Sequence, residues 1–480
     1  MTPPRPPRGP RPPRPHRPSP AAQPGQSSQT DQTAQPGQPT HPGTLPPARR
    51  IALTVLGRVL PSPKSPGQDV QAALDVALAD STLDPRDRGL ATELVYGYLR
   101  LCGRLDYILA QFLKNPTAVP LPVRRILGLA AYEILHCAKV PAYASVDWAV
   151  SAVRKAGGKG LSGMANAVLR RVAADPGAFE EPGFYRRDRP SEVVYLSRAF
   201  SCPEWIVSLW LGACGPDETR QHLAAQAEPA PLGLRVNSAR PEAQALFDAL
   251  AALPGALYAV FPTIAVPTGT DFAAAGLNLP ELLASGALSR QSAAAQDVLY
   301  RLDLPEWPEP VFDACAGRGG KTLLIAEAGK RVIAADMHAA RLAGLPREAA
   351  RLGLPPIAAF RASATKMALG APVGTILLDA PCSGLGVLSR RPDAKWRRQP
   401  EDLAGLTRLQ GAMLEAAYAN LAPGGRLVYV TCTINPAENE KAIDRLGSRH
   451  HDLILDVEAS AAPDPILGET FYGAVLRKPG

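Results

Sequence analysis

An open, doubly wound α/β sheet, preceded by an all-helical region and a small α+β module, is the fold class that this sequence predicts. Three observations predict it. From Val311 onward, short apolar or β-branched runs alternate with helical stretches, as a parallel sheet with crossover helices requires. Two of those runs end alike, Thr375-Ile-Leu-Leu-Asp379 stopping just before Pro381-Cys382 and Arg426-Leu-Val-Tyr-Val-Thr431 stopping at Cys432. Between residues 48 and about 175, apolar residues instead recur at helical spacing.

A chain of 480 residues exceeds what one core supports, and its 46% hydrophobic content suffices to fill about two or three domains. Residues 1 to 47 are dominated by Pro, Gln, Gly, Ser and Thr without apolar periodicity, so a disordered tail is expected there. Five arginines against the single Asp31 give that tail +4 of the formal +8. A mildly basic balance in both parts is compatible with a polyanionic partner. The tail has no apolar run after its arginines, which argues against a secretory signal and for a cytoplasmic protein. No stretch reaches the apolar length of a membrane span. Seven cysteines without a CxxC pair indicate reduced thiols rather than a disulfide framework, and no metal site is expected.

The helical region, taken as residues 48–185, begins with Ile51, Val55, Leu56, Val59 and Leu60 on one face. The same pattern returns over Leu90 to Leu101 and Ile126 to Leu135. Asp84-Pro85 opens one helix, Val119-Pro-Leu-Pro122 precedes the next, and Gly157-Gly-Lys-Gly160 loosens the chain before Met164 to Val172. Asp87-Arg88, Leu94-Val-Tyr-Gly97 and Asn166-Ala-Val-Leu-Arg170 make this region resemble the NusB-like RNA-binding domain. That resemblance implies RNA as partner, with Arg88, Arg100, Arg104, Arg124, Arg125, Arg170 and Arg171 as candidate phosphate contacts.

Residues 190–298 predict a small α+β module: a helix from Pro203 to Leu211, a strand at Leu232 to Val236, a helix near Ala243 to Ala252 and a strand at Leu257 to Ala265. Trp205 and Trp210 are expected in its core. Residues 299–480 then carry strands near 311–315, 331–335, 356–361, 375–379, 426–431, 452–457 and 472–477.

Between the first two of these strands lies Cys315-Ala-Gly-Arg-Gly-Gly-Lys-Thr322, a glycine loop entering a helix, where backbone N–H groups can face a ligand. A Walker A loop would need Gly at 315, which is Cys, and a dinucleotide fingerprint from Gly317 would need Gly at 322, which is Thr. What remains is a glycine turn followed, after the next strand, by Asp336, an acid placed to accept from ribose hydroxyls. S-adenosyl-L-methionine fits that arrangement.

With Asp379-Ala-Pro-Cys-Ser-Gly384, Arg390, Pro392-Asp-Ala-Lys-Trp396, Thr431-Cys-Thr433 and Pro436-Ala-Glu-Asn439, the loop completes a set that strongly resembles the Sun family of RNA cytosine-C5 methyltransferases. The helical region narrows the resemblance to the RsmB-like branch, covering essentially everything after residue 47, and Arg235-Val-Asn237, with Gly286 and Gln291, resemble what precedes the catalytic domain in one RNA methyltransferase family. It implies a class I, Rossmann-like methyltransferase sheet acting on small-subunit ribosomal RNA, as a monomer without a membrane partner. It implies S-adenosyl-L-methionine held by Cys315, Ala316, Gly317, Arg318, Gly319, Gly320, Lys321, Asp336, Ser363 and Asp379. Cys432 is then the nucleophile, Cys382 the thiol that resolves the adduct, and Asp379 an acid between donor and base. The chain departs from the family pattern at Gly317-Arg318, Ser363 and Ser389, where Ala-Pro, Asp and Arg are usual.

Cytosine C5 is a poor nucleophile until something adds at C6, which a thiolate can do. An ordinary thiol of pKa ~8.5 is only a few per cent thiolate at neutral pH, so a nearby cation or helix start would be useful; Lys321 and Lys395 are candidates, each equally available for an RNA phosphate or for solvent. Asp379 could donate a hydrogen bond to the base's N3 if burial kept it protonated. The rival expectation is an RNA-binding assembly factor that retains the scaffold without catalysis.

Overall fold

The computed structural model describes residues 45–62, 65–79, 81–367 and 369–480, so nearly all of the expected tail lies outside the described residues. Residues Leu45–Gly480 form one compact unit.

The chain opens with five helices, α1 (Pro47–Val59), α2 (Val70–Ala79), α3 (Pro85–Ala110), α4 (Leu121–His136) and α5 (Ala142–Ala174). Asp84 caps α3 as its sequence signature requires, accepting from the Asp87 N–H at 2.8 Å with Pro85 in the first turn. The glycine run does not end a helix but kinks α5 at Gly158, whose φ of 81° only glycine adopts readily. Val55 and Leu56 of α1, Leu94 and Leu99 of α3, Leu127 and Ala130 of α4, and Ala149 and Leu169 of α5 share one core. Within it the fully buried Glu133 carboxylate is satisfied by Arg49 at 2.6 Å, Ser145 at 2.6 Å and Trp148 Nε1 at 2.7 Å.

Helices α6 (Glu192–Phe200) and α7 (Glu204–Ala227) lead to the small module: β1 (Leu232–Val236), α8 (Ala243–Ala251), β2 (Tyr258–Val260), β3 (Thr263–Val266), α9 (Leu279–Ala284) and β4 (Leu288–Arg290). Its antiparallel sheet runs β2-β3-β1-β4. Two expectations are corrected here. The single strand foreseen at Leu257 to Ala265 is a hairpin that turns at Phe261-Pro262, because proline has no N–H to continue a ladder. The Trp-bearing helix does not stop at Leu211 but resumes beyond a break at Gly215. Trp210 is fully buried, as expected.

The remaining elements are α10 (Ala293–Arg301), β5 (Val311–Asp313), α11 (Gly320–Glu327), β6 (Val332–Asp336), α12 (Ala339–Leu342), α13 (Leu345–Arg351), β7 (Ala358–Arg361), β8 (Val373–Asp379), α14 (Ala394–Arg397), α15 (Pro400–Asn420), β9 (Leu421–Thr431), α16 (Glu440–Gly447), β10 (Ile454–Ala459) and β11 (Tyr472–Arg477). They form a seven-stranded sheet in the order β10-β11-β9-β8-β5-β6-β7, parallel from β9 to β7, with β11 and β10 antiparallel. Alternate residues face opposite layers. Ile376, Leu378, Leu427 and Tyr429 pack with Met413 and Leu414 of α15 and Ile443 of α16, while Leu377, Val428 and Val430 pack with Val298 of α10 and Leu324 of α11. The strand order reverses beside β5, so the carboxyl ends of β5, β6, β8 and β9 flank one crevice.

The helical bundle is bonded to the segment after β8. Trp396 Nε1 donates to Leu99 O at 2.6 Å, the buried Lys395 ammonium to Arg100 O at 2.7 Å, and Arg100 to Ser389 O at 3.0 Å. This corrects two expectations. Arg100 is buried in this joint, and Lys395, whose pKa burial pushes down to about 8, is committed to α3 rather than to a thiol. Arg104 and Arg88 are likewise occupied internally, Arg104 with Tyr185 OH at 2.6 Å and Arg88 with Leu78 O at 3.0 Å. Arg124, Arg170 and Arg171 remain exposed. Truncating Trp396 to alanine should cost about 2–4 kcal/mol in urea unfolding, through lost packing and an abandoned carbonyl. The exposed Arg170→Ala should change it by less than about 0.5 kcal/mol. Equal effects would mean that the joint contributes nothing to stability.

Candidate active site

The site starts from strand register. In the parallel pair β8 and β9, Asp379 lies opposite Val430, so both chains leave the sheet at the same level. Pro381 breaks the first strand and the turn beyond Thr431 ends the second, which delivers Cys382 and Cys432 to one point. Their sulfurs are 3.3 Å apart, and the Cys432 N–H points at Cys382 Sγ from 3.4 Å. A disulfide would need about 2.05 Å, so these are free thiols sharing a hydrogen bond.

Two sulfurs this close ionise as one system. The Cys382 hydrogen bond lowers the Cys432 pKa, with burial and the Asp379 carboxylate opposing and the positive charges of Lys321 and Arg391 assisting. Cys382 moves the other way, held protonated first by that same bond and then by burial. Of the two sulfurs, Cys432 is thus the one whose thiolate the contact favours, with Cys382 as its hydrogen-bond donor.

Behind the thiols sits a carboxylate that the sequence reading did not single out. Glu438 is fully buried and accepts from the Ser383 N–H at 2.9 Å, Ser383 Oγ at 2.6 Å, Gln410 Nε2 at 3.0 Å and Asn435 Nδ2 at 3.0 Å. Four donors balance its desolvation and lock the Cys382 turn to the loop after Cys432. Arg398 holds the same turn from outside through the carbonyls of Cys382 and Ser383, at 3.3 and 3.2 Å. Gly386 donates to Cys432 O at 2.9 Å, and a Cβ there would stand 2.4 Å from Thr470 O, so only glycine allows this approach.

On the other side of the crevice, Lys321 Nζ donates to Asp379 Oδ2 at 2.7 Å. Burial alone opposes the Lys321 ammonium, but Asp379 more than offsets it and raises the pKa. Asp379 is thus met by a cation rather than standing as a lone acid in an apolar pocket. Of the two candidate cations, Lys321 reaches the thiols' neighbourhood and Lys395 does not. A further acid went unnoticed in the sequence: Asp313, ending β5, accepts from Thr322 Oγ1 at 2.6 Å and is pushed up to about 7, chiefly by burial.

The glycine loop lies where the donor reading requires. Gly317 and Gly319 adopt φ of 58° and 89°, and a Cβ on Gly319 would meet Leu345 at 2.5 Å. Between Cys315 and Lys321 the chain enters α11, with Ala316 buried and Gly320 as its first residue. Asp336 accepts from Gly317 N at 3.0 Å and His338 N at 2.7 Å, leaving lone pairs on both oxygens for a ribose. Arg318 is exposed. Ser363 lies just beyond β7, its Oγ 2.9 Å from the Thr365 hydroxyl, two residues from the end that pairs with Asp336. These residues fit a nucleoside donor: a glycine cradle, an acid for the ribose, and Asp379 between the cradle and the thiols.

The small module buttresses this cradle. Arg235, fully buried, bonds both oxygens of Glu327 in α11 at 2.7 and 2.9 Å, the Gly320 carbonyl at 3.0 Å and Gln291. Asn237 bridges Gly286 O at 3.0 Å and Leu352 O at 2.9 Å.

Residues 301–468 match the family described as 16S rRNA methyltransferase RsmB/F, and residues 46–174 match the NusB family. The chain is 36% identical over 389 residues to the probable ribosomal RNA small subunit methyltransferase B of Synechocystis sp., covering 79% of this chain and 85% of that one. It is 33% identical over 432 residues to the ribosomal RNA small subunit methyltransferase B of Thermus thermophilus, covering 86% and 94%. In fold it is similar to the crystal structure of PH0851, with a TM-score of 0.66 and 21% identity over 91% of this chain and 99% of that one.

The shared proton makes a pH prediction. Alkylation of Cys432 by iodoacetamide, followed by peptide mass spectrometry, should stay fast below the pH at which an ordinary thiol slows. Cys382→Ala removes the donor that favours the thiolate, so the midpoint should move to higher pH, and Cys382→Ser should restore part of the shift. An unchanged midpoint in Cys382→Ala would show that the two sulfurs do not share a proton.

Proposed function

Because the chain belongs to the RsmB/F family of 16S rRNA methyltransferases, we propose that it transfers a methyl group from S-adenosyl-L-methionine to C5 of a cytosine in small-subunit ribosomal RNA, through a covalent Cys432–C6 adduct. The observation that carries this reading is the Cys382–Cys432 contact of 3.3 Å at the carboxyl ends of neighbouring parallel strands, beside the Lys321–Asp379 pair. A non-catalytic assembly factor would have no use for a thiolate and a thiol in register.

When bound, S-adenosyl-L-methionine supplies the methyl group on a positively charged sulfur. The residues that would hold it are the Cys315–Lys321 loop, Asp336, Ser363 and Asp379. Cys432, as the thiolate that the Cys382 hydrogen bond favours, adds to C6, and the C5–C6 π electrons shift toward C5 and the ring nitrogen N3. N3 takes a proton from the Lys321 ammonium by way of the Asp379 carboxylate that accepts from it at 2.7 Å, and returns it along the same path when the ring is restored. As Cys432 becomes a neutral thioether, Cys382 loses the hydrogen-bond partner that first held it protonated, and becomes free to titrate. It then takes part in removing the C5 proton, after which the Cys432–C6 bond breaks and the thiolate leaves. Residues 299–480 hold all these groups, and the bundle and module position RNA over them. We place this work in the cytoplasm, where the substrate is.

The two thiols should leave opposite traces. With Cys432→Ala, both methylation and any covalent protein–RNA species should vanish. With Cys382→Ala, the adduct should form and accumulate as a retarded band on a denaturing gel. The reverse pattern would exchange the roles, and normal methylation by both variants would remove the thiol mechanism.

A further inference from the structure

Helix α7 carries a Cys-x3-Glu-x3-His spacing for which methyl transfer has no use. Its course breaks at Gly215, with φ 76° and ψ 180°, and resumes past Pro216. Cys214 therefore closes one segment, while Glu218 and His222 stand one turn apart on the next. The break brings Cys214 Sγ, a Glu218 carboxylate oxygen and an imidazole nitrogen of His222 within 4.8 Å of one another, a grouping of three possible metal ligands found nowhere else among the described residues.

The imidazole points to a missing ligand. His222 is fully buried, its Nδ1 lies 3.4 Å from Thr470 Oγ1, and its Nε2 has no hydrogen-bond partner. Neither tautomer repairs this, since a proton on Nε2 lacks an acceptor and a lone pair there lacks a donor. Buried polar groups are almost always satisfied, so this one calls for an explanation. A cation answers both needs. Bound at Nε2, it would take the lone pair there while Nδ1–H donates to Thr470 Oγ1, the kind of outer contact that orients a metal-bound histidine.

We propose that Cys214, Glu218 and His222 bind a zinc ion. One thiolate, one imidazole and one carboxylate suit zinc, whereas calcium and magnesium favour all-oxygen sets. Tetrahedral zinc with bonds of about 2.0–2.3 Å separates its donors by roughly 3.3–3.8 Å, so the trio must contract, which the exposed Glu218 allows. Cys214 gives up its thiol proton to solvent, one per ion bound, and water completes the fourth position. The site also reaches the thiol pair. Thr470 N–H donates to Gly386 O at 2.7 Å, and Gly386 N–H to Cys432 O at 2.9 Å, so the metal anchors the far end of a brace on the Cys432 backbone.

The test is cobalt(II) titration of the full chain carrying Cys382→Ser and Cys432→Ser, which removes the competing dithiol and does not depend on methylation. One cobalt per chain should give the visible bands of a tetrahedral site with a sulfur-to-cobalt charge-transfer band, released by one equivalent of zinc. Adding Cys214→Ser should abolish the charge-transfer band, and adding the surface change Glu218→Gln should weaken binding at least about tenfold with an unchanged circular-dichroism spectrum. No tetrahedral bands, or binding indifferent to both changes, would overturn the site.

Discussion

One hydrogen bond between two sulfurs organises this molecule. Each cysteine alone would be a small, half-buried thiol at the end of a strand. Placed 3.3 Å apart, they share one hydrogen bond, which lowers the Cys432 pKa and raises that of Cys382. In the mechanism we propose, the bond that favours the Cys432 thiolate is also the bond that holds Cys382 protonated until Cys432 is consumed.

Holding two sulfurs so close requires rigidity from several directions, and much of the polar interior supplies it. Parallel pairing of β8 with β9 sets the level, and Glu438 ties both exit loops together with four accepted hydrogen bonds. Arg235 fastens the small module to α11, which carries Lys321 to Asp379. On the far side, Trp396 and Lys395 fasten the segment after Cys382 to α3 of the bundle. The region that resembles an RNA-binding domain is therefore also a support for the catalytic loops. Several arginines suited to phosphate by composition, Arg88, Arg100 and Arg104, are spent inside the protein instead.

Most of the fold was legible because its signals are local. Apolar runs bounded by glycine or proline gave all seven strands of the large sheet within about two residues at most ends, the clearest excess being Leu421, where β9 begins five residues before Arg426. Asp84-Pro85 marked a helix start that the structure keeps. The three-residue β4 was too short to carry a period, and the Leu257 to Ala265 stretch concealed a turn. At the site, the strand-end positions of Asp379, Cys382 and Cys432 were readable, but their partners were not. Lys321 meets Asp379 across 58 residues and Ser383 meets Glu438 across 55, separations that no periodicity reports. Lys395 looked equal to Lys321 as a cation for the thiols, and only the packing of α3 against it decides otherwise. Asp313 and Thr322 had a weaker signal, an acid closing a strand just before the glycine loop, and their contact completes that turn.

In the function proposed above, this thiol pair methylates C5 of a cytosine in small-subunit ribosomal RNA. Bisulfite sequencing of that RNA, from cells with the gene intact and from cells lacking it, reads this out. One cytosine should resist conversion when the gene is present and convert fully when it is absent. An identical set of resistant cytosines in both would contradict that function.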